Sequence, residues 1–244
     1  MRRLLVLVAV FVMIAPGVAL AQTPEAGHDQ PTIAGTAFDL LPAQQRRNSL
    51  DPRGDGVEVI VFGPIGRFGT IPAVVRNNSS ETVSGIVVKV EARDADGKLL
   101  GVGESYEFFG GFYPYFMNPG DIAIGEVNLD GDIPANAVLE FSVTAGDPSD
   151  FMADLNADIQ FSDVEWLDDR IVGTAVNPHD VDVTGVFMNI ACFSNEGDLL
   201  FVKWESLTDS DIAAGGTSTF QVGGSFSDYD QCENFLIAGT GSPD

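Results

Sequence analysis

Positive charge is what this sequence has least of. Twelve Lys+Arg stand against 36 Asp+Glu in 244 residues, a formal charge of −24 at pH 7. The only ammonium side chains are Lys89, Lys98 and Lys203. Binding to phosphate needs clustered cations, so nucleic acid is excluded as a partner and anionic membrane surfaces repel the chain. Histidine is scarcer still. His28 falls in a polar leader and His179 in a turn, no GxSxG string accompanies them, and a Ser-His-Asp triad has no material. Two separated His and two Cys offer no zinc-ligand spacing. Gly63-Pro64-Ile65-Gly66-Arg67-Phe68-Gly69 is glycine-rich, but Pro64 and the lack of a following helix pattern make it a bend between strands rather than a phosphate cradle. With 36 carboxylates, close acidic pairs are inevitable and say nothing about glycoside hydrolysis. No residue set points to an enzyme. What is present is 45% hydrophobic and 20% charged, enough apolar side chain to bury a core.

The N-terminus has no apolar run long enough to span a bilayer. Met1-Arg2-Arg3, the apolar run Leu4 to Ala15, Pro16-Gly17 and Ala19-Leu20-Ala21 describe a cleavable secretory signal over residues 1–21. Losing Arg2 and Arg3 with it takes the charge from −24 to −26. No cysteine lies near the cleavage point, so the mature chain is expected to be soluble, extracytoplasmic and not a lipoprotein, with no membrane insertion after cleavage. Cys192 and Cys232 then enter an oxidising compartment, where a disulfide is expected. The alternative, a reactive thiol, requires a cationic neighbourhood, and the surroundings are acidic.

Residues 22–56 are rich in Pro, Gly, Gln, Thr and Asp and read as a flexible leader, interrupted by Phe38-Asp39-Leu40-Leu41. From Val57 the texture is short β-branched runs between Gly, Pro, Asn and Asp. A constant offset of about 100 residues aligns Ile71 with Ile171, Asn77 with Asn177, Val83 with Val183 and Gly85 with Gly185. It also aligns Gly97 with Gly197, Leu99 with Leu199, Leu100 with Leu200 and Val102 with Val202. The register slips by about five at Gly120 against Gly215, so the first copy has a longer loop. Ile86, Val88, Val90 and Ala92 alternate with Val87, Lys89, Glu91 and Arg93, the period of a strand with one face inward. Val186, Met188, Ile190 and Cys192 take the inward phase in the second copy. Asp94-Ala95-Asp96-Gly97 and Ser194-Asn195-Glu196-Gly197 read as hairpin turns in which Gly supplies the positive φ. The reading is all-β, two tandem immunoglobulin-like β-sandwich domains at 57–146 and 158–241, joined by a linker at 147–157.

The string Val75-Arg76-Asn77-Asn78, followed by Val83, Gly85, Val88, Val90, Asp94, Asp96-Gly97, Leu99 and Pro119-Gly120, resembles the FxLYD type of bacterial secreted sandwich domain. Gly173, Val176-Asn177, Val183, Val186, Gly197, Leu199 and Phe220 carry the likeness in the second copy. The Phe-x-Leu-Tyr-Asp string of the family name is absent. What the resemblance implies is a small extracellular module, with no catalytic or ligand residues to carry over.

Two stretches are candidate sites. Asp154, Asn156 and Asp158, with Ser162 and Glu165, have the oxygen-ligand spacing of a calcium loop. Ile159 stands where such a loop needs Gly, and the alternative is a linker running into a strand. In the longer loop of the first copy, Tyr106, Phe108, Phe109, Phe112, Tyr113, Tyr115 and Phe116 are seven aromatics that one sandwich core cannot all bury. They either cover an interdomain seam or meet a partner protein or a cell-surface glycan. Asn77-Asn78-Ser79-Ser80 and Arg53-Gly54-Asp55 match short glycosylation and adhesion patterns and read as turn and leader residues. The expected function is a secreted, non-enzymatic binding or spacer module without a cofactor. The alternative is a calcium-dependent structural or adhesive module at the cell surface.

Overall fold

The computed structural model describes residues 56–66, 68–105, 111–146, 157–167, 170–207, 210–223, 232 and 234–244. Residues 1–55, where a signal and leader are expected, and residues 147–156 of the expected linker lie outside the described residues. Among the described residues every regular element is a strand, and every pairing is antiparallel. The first half holds β1 (Val57–Phe62), β2 (Thr70–Asn77), β3 (Val83–Arg93), β4 (Leu99–Glu104), β5 (Phe116–Met117), β6 (Ile122–Leu129) and β7 (Val138–Gly146). The second holds β8 (Ala157–Asp158), β9 (Gln160–Leu167), β10 (Arg170–Val176), β11 (Val183–Phe193), β12 (Leu199–Ser206), β13 (Thr217–Gly223) and β14 (Asn234–Pro243).

In the first half the strands form one folded sheet in the order β1-β2-β6-β4-β3-β5, with β7 on β3. Its two wings enclose a core in which Val59, Ile71, Ala73 and Val127 meet Val88, Val90, Phe141 and Val143. The second half has two separate sheets, β13-β10-β9 and β12-β11-β14-β8. Between them lie Phe161, Ile171, Phe220 and Val222 from one side and Met188, Ile190, Cys192 and Ile237 from the other. The repeat is realised down to the register: Ile71 faces Val127 and Ala73 faces Gly125 across β2 and β6, as Ile171 faces Val222 and Gly173 faces Phe220 across β10 and β13. Gly97 and Gly197 both adopt φ of 83° in their hairpin turns, a conformation that costs a glycine little. Asn77 and Asn177 are both fully buried, each donating from Nδ2 to carbonyls across its turn, those of Glu81 and Met117 in one case and Val181 and Ile212 in the other. Burial of Asn77 fits the turn reading of that tetrapeptide.

A third apolar layer joins the halves. Val61, Val74, Ile122 and Ile124, on the outer face of β1, β2 and β6, pack against Ala191, Phe193, Leu199, Val202, Leu236 and Ala238 on β11, β12 and β14. The result is four stacked sheet layers with three apolar interiors. Strands buried on both faces lose the alternation of hydrophobic and polar residues. Ala73-Val74-Val75, Ile122-Ala123-Ile124 and Ile190-Ala191-Cys192-Phe193 are such runs, and all of them are buried. β3 is covered on one face only and keeps its alternation, with Lys89 and Glu91 exposed. An irregularity between Val59 and Val61 turns β1 over, so Val59 faces the first core and Val61 faces the seam. Identical residues thus meet opposite fates: Leu99 and Val102 are 46% and 50% exposed, whereas Leu199 and Val202 are 1% and 8% exposed at the seam.

Candidate functional site

Cys192 and Cys232 form a disulfide with a Cα–Cα distance of 5.6 Å. Cys192 is a core residue of β11, and the bridge ties the chain just before β14 to it. Disulfides persist in oxidising compartments. Among the described residues no helix is long and apolar enough to cross a membrane.

The aromatic segment is partly described: Tyr106, Phe108 and Phe109 lie outside the described residues. Phe112 is buried in the first core, against Gly125, where an added Cβ would lie 2.8 Å from the Phe112 ring. Tyr113 exchanges backbone hydrogen bonds with Ile124 of β6, at 3.0 and 2.8 Å. Its ring, also buried, stacks 6.4 Å from Phe187 of β11, which stacks 5.8 Å from Trp204 of β12. Half-buried Tyr115 donates its hydroxyl to that of Tyr113 at 3.0 Å, and burial first, then this bond, raises its pKa. Asn189 of β11 locks the same corner, its Nδ2 donating to the carbonyls of Gly111 (2.9 Å) and Ile124 (2.5 Å). Phe112 and Tyr113, at 3% exposure each, fill the first core and the seam and offer no contact surface to a partner. Phe116, on β5, is half-buried.

The calcium spacing does not form a loop in the described part. Asp154 and Asn156 lie outside the described residues. Asp158 is on β8, paired with Thr240, and its carbonyl lies 3.0 Å from His179 Nε2. Glu165 is on β9, paired with Val172 in the other sheet, with buried Ile159 and Phe161 between them. The extended chain holds the two carboxylates on different sheets, and among the described residues no three His, Cys, Asp or Glu gather around a point. Asp158 and Glu165, on different sheets, do not share one site.

A groove opens where the two halves differ. In the first half β4 pairs with β6 through Gly103 and Leu129, and through Glu104 and Asn128. That closure needs glycine: a Cβ on Gly103 would stand 2.3 Å from the Asn128 carbonyl oxygen. In the second half the corresponding positions on β12 carry Lys203 and Trp204, and among the described residues β12 and β13 do not pair with each other. The Lys203 ammonium donates instead to the Gly223 carbonyl at 2.6 Å, spanning the gap with a side chain. Beside it lies a cavity of about 530 Å³, lined by Glu205, Ser206 and Leu207 of β12 and its end, Thr219 and Phe220 of β13, and Met188 of β11. Asp163 and the β10 segment around Gly173 complete the lining. In the first half the Phe112 ring lies over Gly125; in the second half Phe220 stands at that position and lays its ring over Gly173. Sequence reasoning missed this groove, although one exchange in the aligned copies signals it: Gly103 in the first copy against Lys203 in the second.

No protein-family model matches the sequence, and no curated protein matches it. Among solved structures, the crystal structure of red sea bream transglutaminase aligns over 74% of this chain and 27% of its own, at 9% sequence identity and a TM-score of 0.22. The chain therefore spans about a quarter of that protein's length, and a likeness this weak carries no argument.

Proposed function

We propose that this chain is a secreted, non-enzymatic pair of tandem immunoglobulin-like sandwiches, of the kind the FxLYD-type resemblance implies, acting as an extracellular binding module with the first sandwich as its rigid support. The observation that carries the binding role is the open groove between β12 and β13 beside a first half that closes the same place with its own residues. Concave, partly apolar sites with a few polar groups at the rim are where ligands seat. The disulfide and the signal-like N-terminus support an extracellular setting. Of the aromatic segment, Tyr113 and Phe112 belong to the support and hold the seam and the first core.

Ser206 is exposed at the rim, so Ser206→Trp blocks the groove without touching a core. Retention of the purified protein on extracellular material from the producing cells should fall at least tenfold in Ser206→Trp, with the melting temperature unchanged. Undiminished retention would remove the groove from the binding role.

A further inference from the structure

The seam joins two unlike faces. One is the outer face of β1, β2 and β6, with Val74, Ile122 and Ile124; the other is the outer face of β11, β12 and β14, with Ala191, Phe193, Leu199, Val202 and Leu236. Because the halves repeat one fold in one register, each half has both kinds of face, and the two outermost layers of the stack expose the second example of each. On the second half, β10 and β13 place Thr174, Thr217 and Thr219 where β2 and β6 place Val74, Ile122 and Ile124. On the first half, β3 and β7 place Glu91, Arg93 and Glu140 where β11 and β14 place Ala191, Phe193 and Leu236: Glu91 faces Glu140 as Ala191 faces Leu236. Leu99 and Val102 of β4 are unchanged, standing across from Arg93 and Glu91 as Leu199 and Val202 stand across from Phe193 and Ala191.

Docking the second half of one copy on the first half of the next would repeat the internal seam between chains. Such a head-to-tail contact does not close on itself and builds an open filament. We infer that Thr174, Thr217 and Thr219 on one outer face, and Glu91, Arg93 and Glu140 on the other, hold the stack at two members by keeping a second copy of this chain from docking in the seam's geometry. The apolar patch that a docking copy would cover is present, since Leu99, Val102 and Val138 are exposed on the first half's face. What stands between them is charge. Arg93 is paired with Glu91 and Glu140, and Lys89 with Glu104, all on this face. Docking would take these pairs out of water, and that desolvation offsets or exceeds their mutual attraction. The three Thr hydroxyls opposite would each need a hydrogen-bond partner once buried, a cost that Val74, Ile122 and Ile124 do not meet at the seam. The chain's charge of −24 adds repulsion between copies.

The test uses the full mature protein and sedimentation velocity. One variant carries the seam's residues on the first half's outer face: Glu91→Ala, Arg93→Phe and Glu140→Leu. The other carries them on the second half's: Thr174→Val, Thr217→Ile and Thr219→Ile. The parent and each variant alone should run as monomers, because each variant has one adhesive outer face and nothing to meet it. An equimolar mixture should give a species of twice the mass, at least tenfold tighter than any self-association of either variant. All six changes in one chain should give species that lengthen with concentration. Adding Val102→Lys to the first variant should abolish the pairing, since its counterpart Val202 is buried in the seam. No pairing in the mixture overturns the inference, as does self-association of either variant that matches the mixture, or pairing that survives Val102→Lys. Assembly of the parent through these faces also overturns it. Where Arg93→Phe prevents folding, judged by the melting temperature, Arg93→Leu removes the same charge with less bulk and decides between the same outcomes.

Discussion

The two halves of this protein share register, turn glycines and a buried turn asparagine, yet one is closed and the other open. Gly103 lets β6 come within bonding distance of β4, and Phe112 fills the space between the wings with the help of Gly125. Lys203 at the matching place is too bulky for backbone pairing and reaches across with its ammonium group instead. The same duplication also made the seam asymmetric. Leu199 and Val202 are buried against the first half, while Leu99 and Val102 face outward beside Lys89, Glu91 and Arg93. Arg93 there pairs with Glu91 and Glu140, and these bonds, that to Glu91 foremost, raise its pKa. On the second half's outer sheet, Thr174, Thr217 and Thr219 replace Val74, Ile122 and Ile124 of the seam. Polar outer faces are also how the end repeats of repeat arrays are capped. What the comparison teaches is that one fold closes its edge or leaves it open according to whether glycine or a larger residue stands at position 103 or 203.

The strongest way to break the comparison is at the seam. Phe193 is among the largest fully buried side chains and sits on the second half's side of the shared layer. Phe193→Ala should cost about 3–5 kcal/mol and split one cooperative unfolding transition in urea into two. A single transition with unchanged midpoint would show that the halves are held together elsewhere.

The disulfide distinguishes the halves next. It closes a sequence separation of 40 residues in the second half, and its removal in Cys192→Ser with Cys232→Ser should cost about 4 kcal/mol. Hydrogen exchange should accelerate first at β11 and β14 through local opening, with β3 and β7 affected less; equal acceleration in β3 and β7 would mean that the bridge acts only on global unfolding.

Glu126 offers a titration. It stands on β6 where the second half has Gln221, and burial raises its pKa from an ordinary 4.5 to about 7. The folded state holds this proton more tightly than the unfolded chain does. The stability it contributes is fully present below pH 4.5 and is lost as the pH rises through 7. Between those limits Glu126→Gln should flatten the pH dependence by on the order of 2–3 kcal/mol, measured as denaturation midpoints. A variant with the same pH profile as the parent would show that Glu126 is solvated.

The smallest effect sharpens the closure itself. Gly103→Lys gives the first half the second half's residue, and its Cβ would meet the Asn128 carbonyl at 2.3 Å. A cost of about 1–3 kcal/mol and faster amide exchange at Asp130, whose N–H donates to the Val102 carbonyl of β4 at 3.1 Å, are expected. Unchanged exchange would mean that glycine is not what closes β4 on β6.

Much of the fold was legible before any coordinates. Ile86 to Ala92 alternates because only one face of β3 is covered, and the Gly97 and Gly197 turns are set by local backbone sterics. The inward phase of Val186, Met188, Ile190 and Cys192 could be read for the same reason, and all four are fully buried. The seam was legible only in part. The unbroken apolar runs at Ala73 to Val75 and Ile190 to Phe193 reveal burial on both faces but not what covers the second one. Composition marked the aromatic loop, yet it could not distinguish a ring facing a partner from one stacked on Phe187. Spacing along the chain does not report which sheet each residue joins, so it could not show that Asp158 and Glu165 lie on different sheets.

The sequence by itself determined the strands, their turns, the duplication and the pair of cysteines, because these depend on residues close in the chain or on periodicity along it. Tertiary structure alone decided that Tyr113 and Phe112 are interior, that Leu199 is buried while Leu99 is not, and that a groove opens at Thr219. Those outcomes turn on how closely two backbones can approach, and a single Cβ at position 103 or 203 settles that only when the opposing strand is in place.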